Sequence, residues 1–426
     1  MSRTIVVDHL ARIEGHAGIS VELEGREIRD VRFDVFEGIR LFEGLVRGRM
    51  VDEVPGIVSR ICAICSHGHV ITAMRALERA LGITVSPQTR RLRELAFHGS
   101  AIESHALHVF CLALPDFLQL PSVIELAGKD PEIVATALRL KKLGNSIQET
   151  IGGRAVHPVT HVIGGFSRVP SVDDLVRLRG ELAAGLDDCA RVAEVLRTIP
   201  IPAFADEPIH FAAIDPDPDS YFFGDRVRTD EGTTADVQDY RSFTQERAVP
   251  HSTARHSMTD RPRMVGALAR LALYGDRIDG RARELWQALG PREPWRNVVM
   301  NDIAQVVELV FSIEHGMAIV DGLLATGVEP EPVAPVAVRP GRAAAATEVP
   351  RGTLFHAYEI DGSGRIASAD VITPTAQNCA HLEEQVRATV RHAGDASDDD
   401  LRLRLSIVAR AYDPCVSCSV HMTRLG

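Results

Sequence analysis

Arg60-Ile61-Cys62-Ala63-Ile64-Cys65-Ser66-His67-Gly68-His69 is answered, almost at the other end of the chain, by Asp413-Pro414-Cys415-Val416-Ser417-Cys418-Ser419-Val420-His421. Each stretch contains a Cys-x-x-Cys, and together they take four of the seven cysteines. Two residues between cysteines let both sulfurs reach one ion or cluster from a single turn of chain. A redox disulfide needs only one such pair. A zinc ribbon sets its pairs roughly 15–20 residues apart, so pairs at opposite ends exclude a local finger. Chance pairing is a further reading, and spacing favours over it a thiolate metal site that ties the two ends together. On spacing alone its default ion is zinc.

Composition narrows the setting. With 45% hydrophobic and 25% charged residues over 426 positions, the chain is ordinary globular protein. Its formal charge of −11 argues against a nucleic-acid partner, because phosphate binding needs a basic face. Met1-Ser2-Arg3-Thr4 leads into a strand-like run without the apolar core of a targeting signal. No stretch of about 18 uninterrupted apolar residues is found, so no membrane span is expected. An odd number of cysteines, four of them in paired motifs, suits a reducing, cytoplasmic setting. Cys111, Cys189 and Cys379 read as small buried hydrophobes.

Periodicity outlines the rest. Residues 4–35 alternate as strands about a Glu24-Gly25 turn, giving a small antiparallel sheet with Arg12-Ile13-Glu14-Gly15-His16 in a loop. Val70, Met74, Leu77 and Leu81 make a helical stripe that Gly82 closes. Ser86-Pro87 opens a long helix whose apolar spacing runs to Ala113, with His98, His105 and His108 read as hydrogen-bonded core residues. Further helices are expected over 131–151, 172–198, 262–274 and 297–326. Irregular chain with short strands is expected over 200–262, a stiff proline-rich connection over 328–342, and short strands over 353–372.

The residues flanking the two cysteine pairs resemble the nickel-binding signatures of the [NiFe]-hydrogenase large subunit. Five further blocks follow in the family's order: Arg12–His16, Gly153-Arg154-Ala155-Val156-His157-Pro158, Gly266-Ala267-Leu268-Ala269-Arg270, Pro350-Arg351-Gly352-Thr353-Leu354 and Pro374-Thr375-Ala376-Gln377-Asn378. The resemblance implies a mainly α fold with peripheral β (α+β), a long-helix bundle with an N-terminal antiparallel sheet. It implies one domain over 1–426, with a β-rich region at 1–50, a helical core at 51–330 and a region at 343–426 that closes the metal site. The implied activity is reversible heterolytic cleavage of H2 to protons and electrons. The alternatives are a non-catalytic homologue, which shares the fold but lacks the four cysteines present here, and a structural zinc protein.

By the same resemblance, Cys62 and Cys415 are terminal nickel ligands, while Cys65 and Cys418 bridge nickel to an iron carrying CO and CN. Those diatomic ligands imply maturation proteins. Arg351 matches an arginine above the open metal position, and Pro350 and Thr375 match the pocket around the diatomics. Asp413 would pair with a basic group there, and Glu14 matches the proton-relay glutamate. A neighbouring cation such as Arg60 would favour thiolates. Glu43, the Val371 carbonyl and His421 match the ligands of a second ion, Mg2+ or Fe2+, a hard-ion set apart from its imidazole. Ser104 departs from the pattern, standing where respiratory relatives carry an acid, and Ala63 replaces a common glycine. Ser66 and Ser417 resemble the cytosolic, cofactor-coupled branch. No cysteines are spare for an iron–sulfur wire. An iron–sulfur small subunit is therefore implied, with flavin-containing diaphorase subunits that reduce NAD(P) beyond it.

Overall fold

The computed structural model describes residues 2–197, 201–258, 261–289, 295–333 and 336–420. Alternation near the N-terminus produces an antiparallel sheet of β1 (Ser2–Val7), β2 (Ala17–Glu24) and β3 (Glu27–Val35), in that order. Ile5, Ile19, Val21, Phe33 and Val35 make its buried face. The loop from Arg12 to His16 leaves this sheet with Arg12 at φ +61°. The Arg12 guanidinium donates to the Leu112 carbonyl at 2.7 Å and pairs with Asp116, which Arg410 grips from the other side at 2.6 and 2.9 Å.

Two short helices follow, α1 (Phe42–Val46) and α2 (Val54–Val58). The first cysteine pair then leads into α3 (Ser66–Leu81), which begins on Cys65 as N-cap and ends on Gly82 as expected. In α4 (Pro87–Ala106) the Ser86 hydroxyl accepts the Thr89 N–H at 3.0 Å, and Pro87 fills the first turn, where its missing N–H costs nothing. The spacing predicts an unbroken helix to Ala113. Instead the chain widens into a π-helical turn over Leu107–Ala113. Pro115 accounts for this, since its ring would clash with the carbonyl four residues back, at Cys111.

α4 packs on α5 (Pro131–Gly152), and α5 packs on α6 (Val172–Arg197). Short strands fill 201–258, ending in a hairpin of β4 (Gln245–Val249) and β5 (Ser252–Met258). After α7 (Ala267–Tyr274) comes α8 (Met300–Thr326), which packs on both α4 and α6 and closes a four-helix bundle. By length and composition α8 could cross a membrane, but 72% of its most apolar window is buried inside the protein.

The C-terminal part differs most from the sequence reading. β6 (Gly341–Val349), β7 (Gly352–Ile360) and β8 (Ile366–Ile372) join Phe223–Gly224 in one antiparallel sheet, ordered β8-β7-β6-(223–224). The expected connection over 328–342 thus runs into a strand. The alanine run Ala343–Ala346 is buried throughout, with α3 packed on the strand, so no polar–apolar alternation marks it. The N-terminal sheet is peripheral as expected; this one lies inside. α9 (Pro374–Arg391) and α10 (Asp398–Ala411) then bring the chain to its second cysteine pair.

Candidate metal centre

Both cysteine pairs end at one point. The sulfurs of Cys62, Cys65, Cys415 and Cys418 all lie within 4.8 Å of one another, and none of the four residues is more than 3% exposed. Cys62 and Cys415 are 3.3 Å apart at sulfur, and Cys415 and Cys418 are 2.9 Å apart. A disulfide is about 2.05 Å long, and all four are free thiols.

The two pairs are presented differently. In the first, the Cys65 N–H donates to Cys62 Sγ at 3.4 Å as α3 starts. The second arrives through Asp413, at φ +51°, and is held by distant groups. The Cys415 N–H donates to Thr375 Oγ1 at 3.0 Å, at the start of α9. The Arg12–His16 loop pairs with it: Val416 N–H donates to the Glu14 carbonyl at 3.0 Å, and Glu14 N–H to the Pro414 carbonyl at 3.3 Å. Gly15, at φ +87°, makes this approach possible, since a Cβ there would sit 2.6 Å from Val416 Cβ. Ser417 gives both its N–H, at 3.0 Å, and its hydroxyl to the half-buried Glu14 carboxylate. Arg40 links the pairs directly, donating to the Ile61 carbonyl at 2.6 Å and to the Ser417 carbonyl.

Arg351 lies in the β6–β7 turn, where Gly352 at φ +128° lets the backbone press against Gly266. Its Nε donates to the Asp413 carbonyl at 2.9 Å and Nη2 to Asp413 Oδ1 at 2.8 Å, while Nη1 lies 3.5 Å from Cys65 Sγ. Gln305 satisfies the other Asp413 oxygen at 3.2 Å. Beneath the turn, fully buried Arg270 donates to Glu308 at 2.6 Å, to Glu348 at 2.8 Å and to the carbonyl of buried Pro350 at 2.9 Å. Burial raises the Glu308 pKa, but the charge and hydrogen bonds of Arg270 outweigh it and bring the carboxyl down to about 2.

Hydrogen bonding, first from Cys415, puts Cys65 well below the usual thiol range, and the charge of Arg351 adds to it. Cys415 is driven up, first by its hydrogen bond with Cys418, and Cys418 is driven up by burial. One guanidinium cannot sustain four buried thiolates, so full ionisation requires bound metal cations. The soft, dry donor set fits nickel as well as zinc.

Several sequence-derived residues thus converge: the four cysteines, Arg351, Asp413, Pro350, Thr375 and Glu14. Arg60 does not. It is exposed and turns back to the Gly56 carbonyl and the Ser59 hydroxyl, so Arg351 is the cation beside the sulfurs. Glu43 is buried on α1, and its Oε1 accepts the Val371 N–H at 2.8 Å. An antiparallel strand turns the N–H and C=O of one residue to the same side, so the Val371 carbonyl shares the β8 edge that faces Glu43. His421 lies outside the described residues. His105 and His108 are core residues as expected, at 3.0 Å from Glu308 and 2.6 Å from Gln305. Ser104 is buried, and its hydroxyl finds no hydrogen-bond partner among the described residues. Sequence reading overlooked Arg40, Gln305, Glu308 and Glu348. A signal existed for two of them: Gln305 and Glu308 are one turn apart within the otherwise apolar run Ile303–Phe311, a pattern that demands buried partners.

A family model described as nickel-dependent hydrogenase matches residues 40–137, and one described as HoxL-like matches residues 4–37. The alpha chain of sulfhydrogenase 1 from Pyrococcus furiosus is 35% identical, over 99% of this chain and 98% of its own. The matching component of the vhu F420-non-reducing hydrogenase from Methanocaldococcus jannaschii is 27% identical, over 90% and 97%. Among solved structures, an NAD+-reducing [NiFe]-hydrogenase in the H2-reduced state superposes with a TM-score of 0.88 at 26% identity, covering 98% of this chain and 99% of that one.

Proposed function

The chain belongs to the nickel-dependent hydrogenase large-subunit family, and we propose that its four converging sulfurs hold the nickel and iron with which it cleaves H2 reversibly. It is the catalytic subunit of a [NiFe] hydrogenase. One observation carries the assignment of the site: two Cys-x-x-Cys pairs from opposite ends of the chain meet in a single dry cluster beside an arginine. In this reading Cys62, Cys65, Cys415 and Cys418 would hold nickel, and Cys65 and Cys418 would also hold an iron with CO and CN ligands. When bound, that group supplies the electron-accepting half of heterolytic H2 cleavage.

The remaining work falls to side chains. Arg351, fixed by Asp413 on two sides, holds its Nη1 beside Cys65 Sγ and lowers the cost of charge on the sulfurs. The Thr375 oxygen accepts from Cys415 N–H, which leaves its own hydroxyl proton free to donate to a cyanide nitrogen. Pro350 walls the same pocket. Glu14 takes the proton delivered at a cysteine sulfur: its carboxylate is already tied to Ser417, next to Cys418, and its half-buried place leads outward. Glu43 and the Val371 carbonyl, with His421, form the hard-ion site for Mg2+ or Fe2+.

Electrons need a separate path. The three other cysteines join no metal-ligating group among the described residues. An iron–sulfur small subunit receives the electrons, and diaphorase subunits carry them to NAD(P), as the NAD+-reducing likeness supports. Maturation proteins assemble the iron ligands, and the complex works in the cytoplasm. Infrared spectroscopy with metal analysis tests the reading. Nickel and iron in comparable amounts, with CO and CN stretching bands, are expected; zinc alone in the cysteine site would overturn it.

A further inference from the structure

The described residues hold a second meeting point of metal-ligating side chains, built from none of the residues above. His251 stands in the turn between β4 and β5, His256 on β5, and Glu383 on α9. His251 Nε2 lies 2.9 Å from Glu383 Oε1, and His256 Nδ1 lies 3.9 Å from Glu383 Oε2. One ligand atom from each falls within 4.8 Å of the other two. Two donors bound at 2.0–2.1 Å to one tetrahedral ion sit about 3.4 Å apart, between the two observed separations.

A plain hydrogen-bonded cluster accounts for His251 and Glu383 but leaves His256 unexplained. That imidazole is 2% exposed, faces a second imidazole at 5.4 Å between ring centroids, and its Nε2 has no hydrogen-bond partner among the described residues. Nδ1, the atom that faces Glu383, stands 3.9 Å from it, beyond hydrogen-bond range, so a ligand held between the two would give this buried ring a polar contact there. Burial, with the charge of His251, also lowers its pKa to about 4, so its lone pair is available at neutral pH. The carboxylate is oriented from behind, since the Phe33 N–H of β3 donates to Glu383 Oε1 at 2.9 Å. Such outer partners are what fix a ligating carboxylate.

We propose that His251, His256 and Glu383 bind a zinc ion, with solvent at the fourth position of a tetrahedron. Two imidazoles and a carboxylate are a borderline donor set, and zinc binds such sets more tightly than ferrous iron. The ion clamps the β4–β5 hairpin and β3 onto α9, whose first turn carries Thr375 against the second cysteine pair. Its role is structural.

The test uses the nickel-loaded holoenzyme, stripped of loose metal with a mild chelator and titrated with Zn2+. Roughly one zinc per chain is expected, and absorption at the zinc edge should show only nitrogen and oxygen neighbours near 2.0–2.1 Å. His251→Ala and Glu383→Gln should each weaken zinc binding at least tenfold with nickel content unchanged. His251 is partly exposed and Gln keeps the shape of Glu383, so neither change opens a core cavity. No zinc uptake, or equal uptake by both variants, overturns the site. Zinc–sulfur scattering near 2.3 Å also overturns it, by placing the zinc among the cysteines. Loss of zinc with nickel retained bears on this site alone, whereas failure of the hydrogenase reading appears as missing nickel.

Discussion

The two cysteine pairs reach the same point on different kinds of support. Cys62 and Cys65 ride on the start of α3, and the N–H that steadies Cys62 is only three residues away. Cys415 and Cys418 come at the end of a turn strained through Asp413 and are steadied by Thr375, Glu14, Arg40 and Arg351, each from a different part of the chain. The first pair is the more locally encoded of the two. The second takes its position only when the rest of the molecule has closed around it, so the groups that hold it are also the groups that would work on substrate. Substitutions among them separate holding from working.

Glu14 offers the widest separation. Its backbone pairs with the second cysteine stretch while its carboxylate serves the proton path, and Glu14→Gln keeps the backbone bonds and the shape. Nickel and iron content should stay at the wild-type level, while H2 oxidation and H/D exchange with solvent fall on the order of 10³-fold. Metal analysis beside an exchange assay reads both. Unchanged exchange would leave Glu14 as a strut.

Arg351→Lys comes next. Lysine cannot reproduce three directed contacts, so it would keep the charge near Cys65 while freeing Asp413 on one side. Turnover should drop about 10²-fold, with a smaller loss of nickel. Equal losses of both would make Arg351 a support of the second pair and nothing more. Thr375→Val removes the acceptor of the Cys415 N–H together with the hydroxyl proposed to donate to a diatomic ligand. It should destabilise the loaded protein by about 1–3 kcal/mol, seen as a lower thermal midpoint. An unchanged midpoint would show that the turn holds without it.

The same asymmetry decided what the sequence could disclose. Helical stripes such as Val70 to Leu81, caps such as Ser86 and the alternation of 4–35 are local signals, and each is found where expected. The π-helical turn before Pro115 and the buried alanine strand β6 were hidden, one because proline acts backward along the chain, the other because a strand covered on both faces loses its period. Within the centre, the cysteines, Arg351 and Glu14 stood in recognisable motifs. Arg40 and Glu348 act mainly through contacts with distant parts of the chain, such as Ser417 for Arg40 and Arg270 for Glu348, and no local pattern marks them. Arg60 was misread for the matching reason: it adjoins Cys62 in sequence, yet an arginine beside a helix start turns outward as easily as inward.

Arg40 and Arg60 therefore make the finest comparison. Arg40 joins the Ile61 and Ser417 carbonyls, and so bonds the backbone of both cysteine stretches. The Arg60 guanidinium bonds only within its own turn. Arg40→Ala leaves the Arg60, Ile61 and Ser417 carbonyls without this donor and should cost about 1–3 kcal/mol, since hydrogen bonds to charged donors are worth more than neutral ones. Arg60→Ala should change stability by no more than about 0.5 kcal/mol and leave nickel content untouched. Chemical denaturation of both nickel-loaded variants decides between them. Equal effects would mean that sequence neighbourhood, rather than the bridge across the two ends, secures the second pair. A loss confined to Arg40→Ala would show that the cysteines at the two ends are fastened to each other and not only to the metals between them.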